Sequence, residues 1–316
     1  MTFDLYAELA GLQTCPTDGT APDCLASGFV DGCTVWSTKG GDQRNEARNS
    51  YMKQVTQNAL SLPSDLELDP WPPELLHDSW LGLEVEFELL TPWYSKDDRP
   101  FHVLDNPVRK DRVFGVPFMA AASWKGMLRW ACRMQAGLRE HFEQGKRFED
   151  WRDPDWILHL FGNEKGEKEH FQQGVLAFYP TWFDKIGFEV INPHDRSRRA
   201  GTQPIYYEVV PGRRPKPGNP DQHEDGGKGK LHLLYAPWPG MKAAAKPEEV
   251  LRELLEAIET LLTTYGISAK RTVGWGTAEI KKWKGWRKDI PPKNPVTGDN
   301  REAFVNKLFA NSGEAK

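Results

Sequence analysis

The stretch that most constrains the fold is Leu81-Gly-Leu-Glu-Val-Glu-Phe-Glu-Leu-Leu90, in which Leu83, Val85, Phe87 and Leu89 alternate with Glu84, Glu86 and Glu88. Successive side chains on a strand point to opposite faces, so this period of two predicts a half-buried β-strand. The glutamates then form a second, acidic face, which is expected to look at solvent. Such a strand needs neighbours on its edges and a layer over its apolar face.

The rest of the chain supplies both. A helix is expected from near Ser123, with Ser123 as its N-cap and Trp124, Met127, Leu128, Ala131 and Leu138 at helical spacing. Val175–Tyr179 and Leu231–Tyr235 read as buried strands, separated by a Gly-, Pro- and charge-rich insertion at about 192–230. A second helix runs from Pro247 to Tyr265, with proline in its first turn, Glu248 and Glu249 at its positive end and Gly266 just past it. The turn Gly274-Trp-Gly276 leads into a last strand, Thr277–Trp283. The order strand, helix, strand, strand, helix, strand defines an α+β class. It predicts a ferredoxin-like (RRM-like) βαββαβ core with large insertions. We place this domain at 79–290, between an irregular extension (1–78, with a possible helix over Gln43–Ala59) and a tail of loop and short helix (291–316).

Composition narrows the function classes. No apolar run approaches the roughly 18–20 residues that span a bilayer, and the first residues lack the basic and apolar regions of a secretory signal, so a cytoplasmic, non-membrane protein is expected. Four cysteines in 316 residues make no disulfide framework. Cys15, Cys24 and Cys33 lack the spacing of a zinc site, and a free-cysteine loop is the expectation. The net charge of -4 argues against indiscriminate nucleic-acid binding, but the charges are segregated. Asp65–Glu88 is acidic, whereas Arg109–Arg133, Arg196–Arg199, Arg213–Lys216 and Lys281–Lys288 are basic. A phosphate backbone responds to local potential. Most of the 13 Trp are expected in the core, with some free to stack on bases.

Two segments carry candidate chemistry. Val113–Arg129 delivers an extended Gly/Pro stretch into a helix start, where unpaired N–H groups, Ser123 and Lys125 make an anion site and Gly126 permits close approach. Ser268–Glu279 places Lys270 and Arg271 with Gly274 and Gly276 in a loop suited to lie against phosphates. His194, Asp195, Arg196, Arg198 and Arg199 read equally as an RNA contact or a solvated loop. Walker, dinucleotide-binding and serine-hydrolase motifs are absent from the sequence.

Together these segments resemble the RAMP superfamily of CRISPR-associated proteins. Its G-x-P-x-x-x-x-S-x-K-G-x-x-R stretch is resembled by Gly115, Pro117, Ser123, Lys125, Gly126 and Arg129, with one residue more between Pro117 and Ser123 and a departure at Ala120–Ala122. The resemblance covers about Leu81 to Trp283. It implies guide-RNA binding through Ser123, Trp124, Lys125, Gly126, Arg129, Lys270, Arg271, Gly274 and Gly276. Leu104–Asp111 resembles the Asp-x-Pro-Val-x-x-Asp run of the repeated backbone subunit of type III effector complexes. That likeness implies that Asp105 cuts paired target RNA, aided by a divalent metal such as Mg2+. Asp97, Asp98 and His102 are expected to be solvated loop residues. Tyr207–Pro211 resembles the family's Glu-x-Val-Pro run, which borders a thumb-like hairpin, here Gly212–Lys230. Implied partners are guide RNA, target RNA, other RAMP subunits and the large polymerase-like subunit. The alternatives are a non-catalytic end-capping subunit, which Gly126–Trp130 resembles, and a guide-precursor nuclease.

Overall fold

A computed structural model of the chain describes residues 5–17, 26–57, 59–66, 71–72, 74–98, 101–163, 172–195, 197, 200–202, 204–238 and 246–310. Three helices come first: α1 (Leu5–Ala10), α2 (Ala26–Ser37) and α3 (Gly41–Gln57). The predicted strand is β1 (Leu81–Leu89). Then come α4 (Ala121–Arg133), α5 (Asp155–Phe161), β2 (Leu176–Phe178), the hairpin β3 (Gly187–Ile191) and β4 (Ile205–Val209), and a second hairpin, β5 (Arg214–Lys216) and β6 (Asn219–Glu224). The chain continues through β7 (Lys228–Tyr235), α6 (Pro247–Thr260), β8 (Ala278–Arg287), β9 (Val296–Gly298) and α7 (Arg301–Phe309).

One five-stranded sheet has the order β9-β8-β1-β7-β2 and is antiparallel throughout. Counting β1, β2, β7 and β8 as the four core strands gives the spatial order 4-1-3-2 with α4 and α6 as the two helices. This is consistent with a ferredoxin-like βαββαβ core. The apolar side chains of β1 pack with Trp124 and Leu128 of α4 and with Val250, Leu254, Leu255 and Ile258 of α6. The tail does not stand apart. It adds β9 to the sheet edge, and Phe304, Val305 and Leu308 of α7 enter the same core. Asn300 caps α7 by accepting a hydrogen bond from the Ala303 amide at 2.8 Å. Among the described residues no helix is long and apolar enough to cross a membrane.

The acidic face of β1 corrects the expectation from its sequence. Glu84 and Glu88 are each only 4% exposed. The cause lies on the neighbouring strands, whose register sets His232 and Lys284 opposite Glu84 and Lys230 opposite Glu86. His232 Nε2 lies 2.9 Å from Glu84, and Lys284 donates to Glu84 and Glu86, both at 2.7 Å. Glu88 accepts from Arg213 at 3.1 Å and the Gly226 amide at 3.0 Å, with Lys281 3.1 Å away. Trp71 stacks on the His232 ring at 4.5 Å. This face is therefore a charge-balanced ladder.

The ladder has a pH signature. The Arg213 hydrogen bond, chiefly, holds Glu88 at about 2. Burial opposes ionisation of Glu84, but hydrogen bonds from His232 and Lys284 outweigh it and bring that group also to about 2. Carboxyls depressed on folding stabilise the protein above their unfolded values, and that stability is lost as they protonate. Stability followed by tryptophan fluorescence should fall as pH drops from about 4.5 toward 2, and Arg213→Ala should lessen that fall. A wild-type protein equally stable at both ends of this range would refute the ladder's contribution.

Candidate RNA-binding groove and the Asp105 loop

The two segments singled out in the sequence meet in space. A groove of about 610 Å³ lies between α4 and the loop after α6, lined by Ala120, Ala122, Ser123, Gly126, Trp130, Ser268, Ala269 and Arg271 among others. The loop is fastened from below. Trp93, 1% exposed, donates from its indole to the Ile267 carbonyl at 3.0 Å, and Ser268 exchanges hydrogen bonds with the Tyr94 backbone at 3.0 and 3.1 Å. Ala269 N–H also donates to Tyr94 O at 2.8 Å.

Glycines make this path possible. Gly266 and Gly276 have φ of +78° and +91°, where a side chain is strained. A Cβ on Gly276 would also stand 2.3 Å from the Ser268 amide, so this glycine shapes the loop. Gly274, at φ +83°, instead faces open space.

α4 begins earlier than the sequence suggests. Ala120 is its N-cap and offers no side-chain cap, so Ser123 lies inside the first turn rather than capping it. Uncapped first-turn amides and the positive dipole end favour an anion there. Gly126 is exposed, with nothing within 4 Å of where a Cβ would sit. Its lack of a side chain therefore answers no packing demand within the protein. Gly126→Ala should stabilise α4 by about 0.5–1 kcal/mol while weakening RNA binding roughly tenfold, a loss of about 1.4 kcal/mol. Melting and RNA titration check this pair of opposite signs; tighter or unchanged binding would mean that RNA does not approach Gly126.

The remaining expected contacts divide. Lys125 is exposed and has no carboxylate partner among the described residues. Lys270 Nζ sits 4.4 Å over the Tyr207 ring, and Arg271 lies over Trp130 at 4.3 Å. The Nη1 of Arg271 is buried with no hydrogen-bond partner. Two expectations need correction. Trp124 is wholly buried, its indole donating to Thr181 at 2.9 Å, because helical spacing turns it under the sheet with Leu128. Arg129 donates to Asp153 at 2.9 and 2.6 Å beside Arg133, so it closes an internal clamp instead of facing a ligand. Burial resists ionisation of Asp153, but hydrogen bonds from Arg133, Trp151 and Arg129 prevail and lower its pKa. The platform residues Trp130 and Tyr207 were missed. Their only sequence signal was being aromatic within the matched segments.

Asp105 lies on the loop after β1, with its side chain 74% exposed. The surprise is its company. Arg48 and Arg44 of α3, from the unassigned extension, lie 3.0 and 3.7 Å from its carboxylate. Arg48 also donates to the Val103 carbonyl at 3.4 Å. Just beneath, Tyr51 of α3, Lys110 of the loop and Glu208 of β4 form a buried cluster. Glu208 accepts from Tyr51 and Lys110, Lys110 donates to Tyr51 at 2.7 Å, and the Val108 amide donates to Glu208 at 2.9 Å. The side chains of Lys110 and Glu208 are 3% and 0% exposed. Asp98 pairs with Arg109 at 3.5 Å.

These neighbours do not build a metal site. Guanidinium groups flank Asp105, and among the described residues no three His, Cys, Asp or Glu converge to hold a metal ion. Cys15 and Cys33 are buried free thiols, and burial pushes Cys33 up to about 12. Cys24, Arg196, Arg198 and Arg199 lie outside the described residues. The region expected as a thumb-like hairpin contains β5 and β6, and β3/β4 is a further hairpin before it.

The sheet order, the groove and the paired segments define a RAMP-type domain. The RAMP superfamily model matches residues 86–279, more than half of the sequence, and the chain belongs to that superfamily. Among solved structures it is similar to a chain of the type III-B Cmr-beta complex bound to cognate target RNA, at 15% identity and a TM-score of 0.51, covering 79% of this chain and 78% of that one. It also matches a chain of the Csm3–Csm4 subcomplex of the type III-A CRISPR-Cas interference complex, with 17% identity, 73% and 93% coverage and a TM-score of 0.38. A third match is a CRISPR RNA-guided surveillance complex in a pre-nicking state, with 11% identity, 74% and 87% coverage and a TM-score of 0.44.

Proposed function

We propose that this protein is a guide-RNA-binding subunit of a type III CRISPR ribonucleoprotein, acting as a backbone subunit that cuts paired target RNA at Asp105. The observation that carries the binding reading is the Arg271 guanidinium. Its Nη1 is buried without an acceptor, over Trp130, in the groove that α4 and the loop line together. A buried donor of this kind is costly unless a ligand supplies the acceptor, and a phosphate oxygen suits it. Lys125 adds charge on α4, while Tyr207 and Trp130 hold Lys270 and Arg271 by their ring faces. The ion ladder and Trp71, packed on His232 and Trp286, already occupy the other face of the sheet, which favours the groove over an RRM-style sheet surface. Neighbouring RAMP subunits and the large polymerase-like subunit would complete the particle.

A second reading has its own observation. Asp105 is already tied to Arg44 and Arg48, as a structural anchor in a non-catalytic end-capping subunit would be. In the assembled complex, Asp105→Ala should abolish target cutting and leave guide occupancy intact. Cutting at the wild-type rate would reject the cleaving role and favour the anchor.

A further inference from the structure

We infer that Arg44 and Arg48 are catalytic residues of the cutting centre, binding the scissile phosphate of the target RNA where a metal ion would otherwise stand. The inference rests on the reading of Asp105 as the cutting group. Both arginines come from α3, outside the region matched by the superfamily model, so the centre is composite. Four residues apart, they lie on one face of the helix. They stand 3.7 and 3.0 Å from a carboxylate that is 74% exposed, and the Arg44 side chain is itself 56% exposed. Two guanidinium groups and one carboxylate leave one net positive charge, which a single phosphodiester neutralises. Guanidinium forks match phosphate oxygens in pairs. The Tyr51–Lys110–Glu208 cluster holds α3 against the loop, so the arginines are positioned before RNA arrives.

The chemistry balances without a metal. Asp105 accepts the proton of the 2′-OH as O2′ bonds to phosphorus. The P–O5′ bond breaks with its electron pair, and the leaving 5′ oxygen takes a proton from water. The products are a 2′,3′-cyclic phosphate and a 5′-OH end, and Asp105 returns its proton to solvent. Arg44 and Arg48 stabilise the charge that builds on the non-bridging oxygens.

The test uses the assembled complex with its guide and a complementary target. Arg44→Ala/Arg48→Ala should cut at least 100-fold more slowly with guide and target binding unchanged, and chelating divalent cations should leave the wild-type rate intact. Arg48→Lys preserves a tie to Asp105 but not the fork, and should still lose at least tenfold. A phosphorothioate at the scissile position should slow the wild type and have no added effect in the double variant. If the double variant cuts normally while Asp105→Ala is inactive, the inference falls and the Asp105 reading stands. If Asp105→Ala cuts normally, both fall.

Discussion

Replacing Glu208 with alanine is expected to cost about 3–5 kcal/mol of stability, the usual range for removing one partner of a buried ion pair. The substitution removes one acceptor from three groups: Lys110, 3% exposed in its side chain, the Tyr51 hydroxyl and the Val108 amide. A lost acceptor in the interior is costly because water does not replace it. The denaturant midpoint of Glu208→Ala reports the loss, and a change under about 1 kcal/mol would mean that water reaches the cluster. The triple change Tyr51→Phe/Lys110→Met/Glu208→Leu removes every charge at once and should recover most of the stability.

The second large effect is on RNA. Lys125→Glu/Arg271→Glu reverses the exposed, unpaired cation on α4 and the loop arginine whose Nη1 is buried without a partner. Each hydrogen bond to a charged group contributes about 1.5–3 kcal/mol. Losing two amounts to a fall of at least about 100-fold in affinity. Two fewer phosphate contacts should also flatten the dependence of log K on log salt by roughly 1.4 for a single strand.

How much of this was readable beforehand follows from where each signal is stored. β1 and α6 were legible because the alternation that defines each is written along the element itself, at a period of 2 or 3.6. The groove was legible as two motifs, and folding brought them together. Trp124 and Arg129 were misassigned because a motif letter does not say which way a side chain turns: one faces the core, and the other meets Asp153, 24 residues away. Glu84 and Glu88 looked solvated because their partners, Arg213, His232, Lys281 and Lys284, are more than 120 residues distant in sequence. The role of α3 was hidden for the same reason. Arg48 meets Asp105 57 residues later, and Tyr51 meets Glu208 157 residues later. No local pattern encodes such pairs.

The most direct measurement is a salt-resolved titration of the RNA that co-purifies with the complex against three forms of the protein. These are the wild type, Lys125→Glu/Arg271→Glu, and Lys230→Ala on the ladder face of the sheet, each checked for folding by its melting curve. RNA held in the groove requires the double variant to lose at least about 100-fold in affinity with a shallower salt slope, while Lys230→Ala binds as the wild type does. A double variant with wild-type affinity and slope, or a loss confined to Lys230→Ala, would contradict the groove and move RNA to the sheet.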